Sequence, residues 1–161
     1  ILETSKLDIN ASAKDKAQTD VGKLLEETVS PYFFIAKSRN IKMTLSLEEN
    51  FSAAISAELV KKALSNVLSN AVRYTDTNQS IRIYMKNHTV IVENECKPLT
   101  NEQLAHIGEP FYHPVENQNE NCDSTGLGLY LTERILDACK IHFSFAPYKN
   151  GMRFVLNLQE E

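Results

Sequence analysis

The segment from residue 56 to residue 75 constrains the fold more than any other part of the chain. Apolar side chains recur in it every three or four residues, which is the period of an α-helix with one buried face. The apolar positions are Leu59, Val60, Ala63, Leu64, Val67, Leu68, Ala71 and Val72. Such a helix has to bury its apolar side against another element, so the chain must supply a second layer of structure.

The polar side of this helix is unusual, because Asn66, Asn70 and Arg73 share one face at spacings of four and three residues. Asparagine is a poor residue for a helix interior, since its side chain competes for backbone hydrogen bonds. A solvated helix face is one interpretation. The other is a binding site, because amide oxygens beside a guanidinium group suit a magnesium ion and phosphates.

The remaining patterns predict both strands and helices. Alternating apolar residues predict strands, four of them forming two hairpins, and helical spacing predicts a helix from Asp20, which Pro31 either kinks or restarts. The predicted strands are 41–47, 81–85, 90–92, 141–146 and 153–158, and the further helices are 101–107 and 127–139. This order predicts an α+β fold, a two-layer sandwich of one mixed sheet with the helices on one face.

Composition excludes several classes of protein. The formal net charge is −4, and no basic stripe is present, so a nucleic-acid partner is not expected. The three cysteines, Cys96, Cys122 and Cys139, are widely spaced, which is typical of reduced thiols in a cytosolic protein rather than of disulfides or a zinc site. The length fits one domain, with a short appendage at most.

Two further motifs flank a polar stretch, residues 113–125, that has almost no apolar content and is expected to be a mobile loop. Before it stands Gly108-Glu109-Pro110-Phe111-Tyr112, and Ser124-Thr125-Gly126-Leu127-Gly128-Leu129 begins within its last two residues. Glycines at the start of a helix let the backbone approach a ligand closely, and free N–H groups there favour anions.

Together these motifs resemble those of the histidine kinases. The run from Leu64 to Thr75 resembles the asparagine box of that family, Glu109-Pro110-Phe111-Tyr112 its phenylalanine box, and Thr125 to Leu129 its second glycine box. The resemblance extends from about Asp20 to Leu158. It implies the left-handed ATP-binding fold that histidine kinases share with gyrase, mismatch-repair ATPases and heat-shock chaperones.

The resemblance also implies roles for individual residues. Asn70 would coordinate Mg²⁺, and Asn66 and Arg73 would lie beside the phosphates of ATP, so that these three form the catalytic set. The other residues implied to contact nucleotide are Tyr74, Asn94, Leu99, Phe111, Thr125, Gly126, Leu127, Gly128 and Leu129. Residues 113–125 would form the lid over ATP, becoming ordered when nucleotide binds.

The chain departs from the family pattern at the first glycine box, where Asn94 stands for the aspartate that accepts from the adenine amino group. Cys96 and Pro98 replace two glycines, and His113 replaces an arginine. Asn66 stands where water-hydrolysing relatives of the superfamily have a glutamate, which favours phosphotransfer to a histidine over hydrolysis. None of the four histidines, at 88, 106, 113 and 142, is followed by the acidic residue expected after a phosphoacceptor.

The resulting hypothesis is a histidine kinase catalytic domain at residues 19–161, preceded at 1–18 by a remnant of the dimerisation helix and a linker. Its partners would be its own phosphoacceptor helix pair and a response regulator. The parent is expected to be a homodimer at the membrane, and the fragment a cytoplasmic monomer. Alternatives are a degenerate module that senses nucleotide or binds a protein, and a serine kinase of the anti-sigma type.

Overall fold

The computed structural model describes residues 9–106, 109 and 128–159. Residues 9–12 are helical. The strands are β1 Ala17–Asp20, β2 Lys42–Ser46, β3 Ser52–Ile55, β4 Ser80–Lys86, β5 Thr89–Glu95, β6 His142–Tyr148 and β7 Gly151–Asn157. The helices are α1 Val21–Ser38, α2 Ala57–Tyr74, α3 Asn101–His106 and α4 Gly128–Ala138.

Five strands form the main sheet, in the order β2-β4-β5-β7-β6. β2 runs parallel to β4, whereas every other pair is antiparallel, so the predicted mixed sheet is confirmed. The chain connects the parallel pair, β2 and β4, through β3 and α2. The two hairpins, β4–β5 and β6–β7, were predicted, but with shorter strands than the structure shows.

The helices and the sheet bury one common core. Along β4, Ile81 and Ile83 are buried while Arg82 and Tyr84 lie on the opposite, open face of the sheet. All eight apolar positions predicted for α2 are buried, in one cluster with the inward side chains of the sheet, α1 and α4. The α+β prediction with two layers is therefore confirmed.

α1 runs through Pro31 without interruption. Its buried side is the row Leu25, Val29 and Ala36, whereas Phe33 and Ile35, predicted on the apolar side, are 37% and 41% exposed. The helical spacing that predicted this helix counts both residues among its apolar positions, and for them that prediction was wrong. The row continues through Tyr32, which packs against the core between Val29 and Ala36, so that Phe33 and Ile35 each lie one residue from a member of the row, a step that turns a side chain by about 100°.

A small second sheet was not predicted. β1 pairs antiparallel with β3, with Ala17 opposite Ile55 and Asp20 opposite Ser52. The predicted boundary after residue 18 therefore falls inside a strand, and residues 17 and 18 are not a linker. Ile9 and Ala13 also contribute to the buried core. Residues 1–8, which include most of the predicted helix remnant, lie outside the described residues.

None of the helices in the described ranges is long and apolar enough to cross a membrane. Cys96 and Cys139 are free thiols, and Cys122 lies outside the described residues.

Candidate functional site

A cavity of about 690 Å³ opens between the C-terminal half of α2 and the central strands of the main sheet. Its apolar wall comes from strands, namely Val92 on β5, Phe145 on β6, and Met152 and Phe154 on β7. The described residues that line the rest of it are Arg39, Val67, Asn70, Ala71, Arg73, Tyr74, Thr75, Asp76, Thr77, Asn94, Cys96, Lys97, Pro98, Leu99, Thr100, Gln103 and Leu129.

The polar face of α2 borders this cavity. Asn70 and Arg73 line it, and the Arg73 Nη1 donates to Asn70 Oδ1 at 3.2 Å. Asn66, one turn earlier, is half-buried and lies outside the set of lining residues. Asn66 Nδ2 and Arg73 Nε are buried donors without a hydrogen-bond partner among the described residues. Two unsatisfied donors on one helix face are costly unless an acceptor reaches them.

α2 ends at the cavity because its last carbonyls have partners elsewhere. Thr75 Oγ1 donates to Ala71 O at 2.6 Å, and the guanidinium group of Arg39, just beyond α1, donates to the carbonyls of Val72 and Thr75. The two Arg39 contacts satisfy carbonyls that the helix itself leaves open, whereas Ala71 O also accepts from the Thr75 backbone N–H at 3.0 Å. They fix the end of α2, and with it Arg73 and Tyr74, whose ring centroid lies 5.9 Å from the Arg73 Cζ.

The end of β5 and the segment after it bring three of the altered residues to the cavity. Asn94 is 8% exposed and lines it, together with Cys96 and Pro98 from the segment that follows. The neighbouring strand lies very close here, since a Cβ on Gly151 would come within 1.9 Å of the Asn94 carbonyl oxygen. Burial raises the pKa of the Cys96 thiol, so this thiol stays protonated at neutral pH.

The structure therefore brings six of the predicted site residues to one region, which are Asn70, Arg73, Tyr74, Asn94, Leu99 and Leu129. Leu99 also donates its backbone N–H to Met152 Sδ at 3.4 Å. Gly128 begins α4. Phe111, Thr125, Gly126 and Leu127, like the predicted lid at 113–125, lie outside the described residues.

Other lining residues were not predicted. Asp76, in the turn after α2, is the only carboxylate among the described residues that line the cavity. Gln103 belongs to a capping box at the start of α3, in which Thr100 Oγ1 accepts from Gln103 N at 3.1 Å and Gln103 Oε1 from Thr100 N at 2.8 Å. The spacing of Thr100 and Gln103 is a recognisable signal for that helix start.

The described histidines lie away from the cavity. His88 packs against the ring of Phe51, with centroids 4.8 Å apart, and His142 is exposed on β6. His106 Nδ1 lies 3.0 Å from the Glu109 carboxylate, and this contact raises the pKa of His106. Within the described ranges no group of three or more His, Cys, Asp or Glu side chains could hold a metal ion by itself.

A mixed sheet with helices on one face and a cavity beside its central strands defines the fold of histidine kinase catalytic domains. ShkA in complex with AMPPNP superposes with a TM-score of 0.72 at 18% identity, over 88% of this chain and 30% of that one. ThkA in complex with the response regulator TrrA superposes with a TM-score of 0.68 at 21% identity, over 96% of this chain and 46% of that one.

The sequence comparisons agree with the fold. The family described as "Histidine kinase-, DNA gyrase B-, and HSP90-like ATPase" matches residues 55–161, and the chain belongs to this family. The sensor histidine protein kinase HK06 of Streptococcus pneumoniae serotype 2 (strain D39 / NCTC 7466) is 30% identical over 158 residues. That alignment covers 98% of this chain and 35% of HK06, so the chain spans about a third of that relative's length.

Proposed function

We propose that this chain binds ATP with Mg²⁺ in the cavity and positions the γ-phosphoryl group for transfer to a histidine of the longer protein. The observation that carries the proposal is a pair of buried donors on the helix face beside the cavity, Asn66 Nδ2 and Arg73 Nε, which have no hydrogen-bond partner in the part of the chain that the structure describes. Donors of this kind suit phosphate oxygens, which are strong acceptors. ATP binding is also the property expected of the family to which the chain belongs.

The size and chemistry of the cavity support a nucleotide. A volume of about 690 Å³ is within the usual range for a site that encloses a small ligand. The apolar wall with Phe145 and Phe154 suits the faces of a base, and Asn94 is a buried polar group that can bond to the edge of a base.

The residues present also fit magnesium. Asn70 Oδ1 is a hard oxygen donor, the kind that Mg²⁺ prefers, and this ion is commonly held by few protein oxygens, with phosphates and water as the other ligands. When bound, the ion would neutralise phosphate charge.

In the proposed phosphoryl transfer, the protein has to position the phosphoryl group and stabilise its charge. Arg73 supplies a cation beside the proposed phosphate end, and its bond to Asn70 Oδ1 holds the two side chains together. Asn66 has no carboxylate with which to activate water. This favours transfer to an imidazole, which is nucleophilic in its neutral form, over hydrolysis.

A titration with ATP, with and without Mg²⁺, tests this assignment. Asn70→Ala removes the proposed metal ligand, so the Mg²⁺-dependent affinity for ATP should fall by about tenfold or more. Asn157→Ala at the far end of β7 is the matched control and should bind like the parent chain. Equal magnesium-dependent binding by Asn70→Ala and the control would show that the site is wrongly assigned.

A module that binds nucleotide without transferring phosphate is the second candidate function. The observation that favours it is the altered end of β5, where Cys96 and Pro98 line the cavity in place of glycines. The two functions are separated by phosphotransfer, since only a kinase would label a helix pair that carries the acceptor histidine.

A further inference from the structure

Arg73 lies in the last turn of α2, where the helix gives its own backbone the least support. The chain turns extended at Thr75, with φ −77° and ψ 131°, so no helical N–H follows that could bond Val72 O. The role proposed for Arg73 nevertheless needs a fixed side chain. Its Nη1 donates to Asn70 Oδ1 at 3.2 Å, and its Nε is buried without a hydrogen-bond partner among the described residues. The last turn of α2 therefore needs support from outside the helix.

Arg39, the first residue after α1, supplies this support. Its guanidinium group donates to the carbonyl oxygen of Val72 and, at 3.3 Å, to that of Thr75. These two carbonyls bracket Arg73 and Tyr74, the last two residues of α2. Because the guanidinium group is planar and its donors have a fixed spacing, a bond to each carbonyl restrains the backbone between them.

Arg39 is itself held by the turn that carries it. Its backbone N–H donates to the carbonyls of Ala36 and Ile35, at 3.1 and 3.2 Å. Next along the chain, Asn40 Nδ2 donates to Asn78 Oδ1, and Asn78 N donates to Asn40 O at 2.9 Å. The turn after α1 is thus bonded to the turn after α2, so the end of α1 can fix the end of α2 through Arg39.

We infer that Arg39 is a positioning residue for the phosphate side of the cavity, which acts through Arg73 by holding the last turn of α2. The inference rests on the proposed nucleotide-binding function. The proposed base side of the site comes from other elements, with Val92 and Asn94 on β5 and Met152 on β7. Loss of the Arg39 contacts should therefore weaken what the phosphates add to binding and leave the contribution of the base unchanged.

The test compares the dissociation constant of ATP with Mg²⁺ and that of adenosine, both measured by competition with a fluorescent ATP analogue. The adenosine constant divided by the ATP constant reports what the phosphates add. Arg39→Ala should lower this ratio about tenfold, the value of one charge-assisted hydrogen bond, and leave the adenosine constant within about twofold of that of the parent chain. Arg39→Lys keeps a cationic donor without the planar fork, so its ratio should lie between those of the parent chain and Arg39→Ala.

Two controls on α1 separate positioning from a general loosening of the domain. Tyr32→Phe removes another hydrogen bond between the two helices, from Tyr32 Oη to Ser65 O at 3.1 Å. Ser65 O is an interior carbonyl, which α2 already bonds within itself. Val29→Ala leaves a gap in the buried core and should lower the melting temperature. Neither control should change the ratio, and a loss in them as large as in Arg39→Ala would overturn the inference.

Arg39 also lines the cavity, so a double-mutant cycle has to decide whether it acts through Arg73 or on the nucleotide directly. Arg73→Ala removes the cation that Arg39 is inferred to position. In this background Arg39→Ala should change the ratio by less than about twofold. The same loss of about tenfold in both backgrounds would mean direct contact with the nucleotide and would overturn the positioning role.

Folding of the variants and binding by the parent chain are checked separately. Should Arg39→Ala fail to fold in a thermal melt, Arg39→Met keeps an aliphatic side chain without the donors and replaces it, with the same expected loss. A parent chain that binds neither ATP nor adenosine would overturn the proposed function itself. Binding with a ratio that is independent of Arg39 would overturn only the role of Arg39.

Discussion

At the scale of single residues, we expect the end of β5 to determine how strongly the cavity holds a base. Asn94 is buried there with an amide in place of the aspartate that the histidine kinase pattern carries. A hydrogen bond to a charged acceptor contributes roughly 1.5–3 kcal/mol, about twice the value of a neutral one. The affinity for ATP and the preference over GTP are therefore expected to be lower than in relatives with the carboxylate.

Asn94→Asp should consequently raise both the affinity for ATP and the preference for ATP over GTP. ATP should bind several-fold more tightly, because a carboxylate accepts a stronger hydrogen bond from the adenine amino group. Parallel titrations with ATP and GTP measure the effect, and Glu95→Gln is a control for the local charge. A lower ATP affinity in Asn94→Asp would mean that residue 94 does not contact adenine.

Asp20 gives a prediction about stability and pH. Its carboxylate accepts from Lys23 N at 3.1 Å as the N-cap of α1, and from Asn50 Nδ2 at 2.9 Å. The Asn50 contact first, and the Lys23 N–H second, hold the pKa of Asp20 below its ordinary value of 3.8. A lowered pKa in the folded state means that the ionised carboxylate stabilises the fold above about pH 3.8, and that this contribution is lost as the pH falls through the folded pKa.

Asp20→Ala should therefore lower the melting temperature at neutral pH, and the difference from the parent chain should shrink as the pH falls below 3.8. Thermal melts across a pH series measure this. Asp15→Ala, the same change at an exposed position before β1, should have little effect. A destabilisation by Asp20→Ala that is the same at all pH values would exclude a role for the carboxylate charge.

At the scale of elements, α2 is the structural centre of the domain, since it buries its apolar stripe against the sheet and presents its polar face to the cavity. Leu68 is fully buried in this stripe. Leu68→Ala should lower the free energy of unfolding by roughly 2–5 kcal/mol, through lost burial and the cavity left behind. Chemical denaturation measures it, with the exposed Lys61→Ala on the same helix as control.

The elements also show how far local patterns can be trusted. α2 was predicted with all of its buried residues, because the period of an amphipathic helix can be recognised in one continuous stretch of sequence. β1 and β3 were missed, since each has only four residues and exists by pairing with a strand about 35 residues away. Phe34 on α1 is 80% exposed, which shows that hydrophobicity alone does not determine burial.

At the scale of the whole molecule, the sequence indicated those residues of the cavity lining that belong to recognisable motifs. Asn70, Arg73 and Asn94 were named and line the cavity. Arg39 and Asp76 were not, because the cavity forms where the ends of separate elements meet, and the sequence does not indicate which ends become neighbours. Arg39 reaches the end of α2 from more than 30 residues earlier in the chain.

The whole molecule also limits which histidines could accept a phosphoryl group. The described histidines lie outside the cavity lining, so ATP and Mg²⁺ alone should leave the isolated chain unlabelled. A separately supplied helix pair with the acceptor histidine of the longer protein should become labelled, and the same pair with that histidine changed to glutamine should not. Radiolabel on His88, His106, His113 or His142 of the isolated chain would contradict the proposed reaction.

The pairing of β5 with β7 has a consequence for the order of events in folding. Glu95 lies opposite Gly151, so the chain between them, with α3, α4 and β6, must close into one long loop before the centre of the sheet is complete. Closing long loops costs chain entropy and slows folding. Because Val92 and Met152 of these strands also form the wall of the cavity, the proposed nucleotide site would be complete only once β5 and β7 have paired. We therefore expect ATP to slow the unfolding rate while leaving the folding rate nearly unchanged, so that the ligand prolongs the lifetime of the folded domain without guiding its formation.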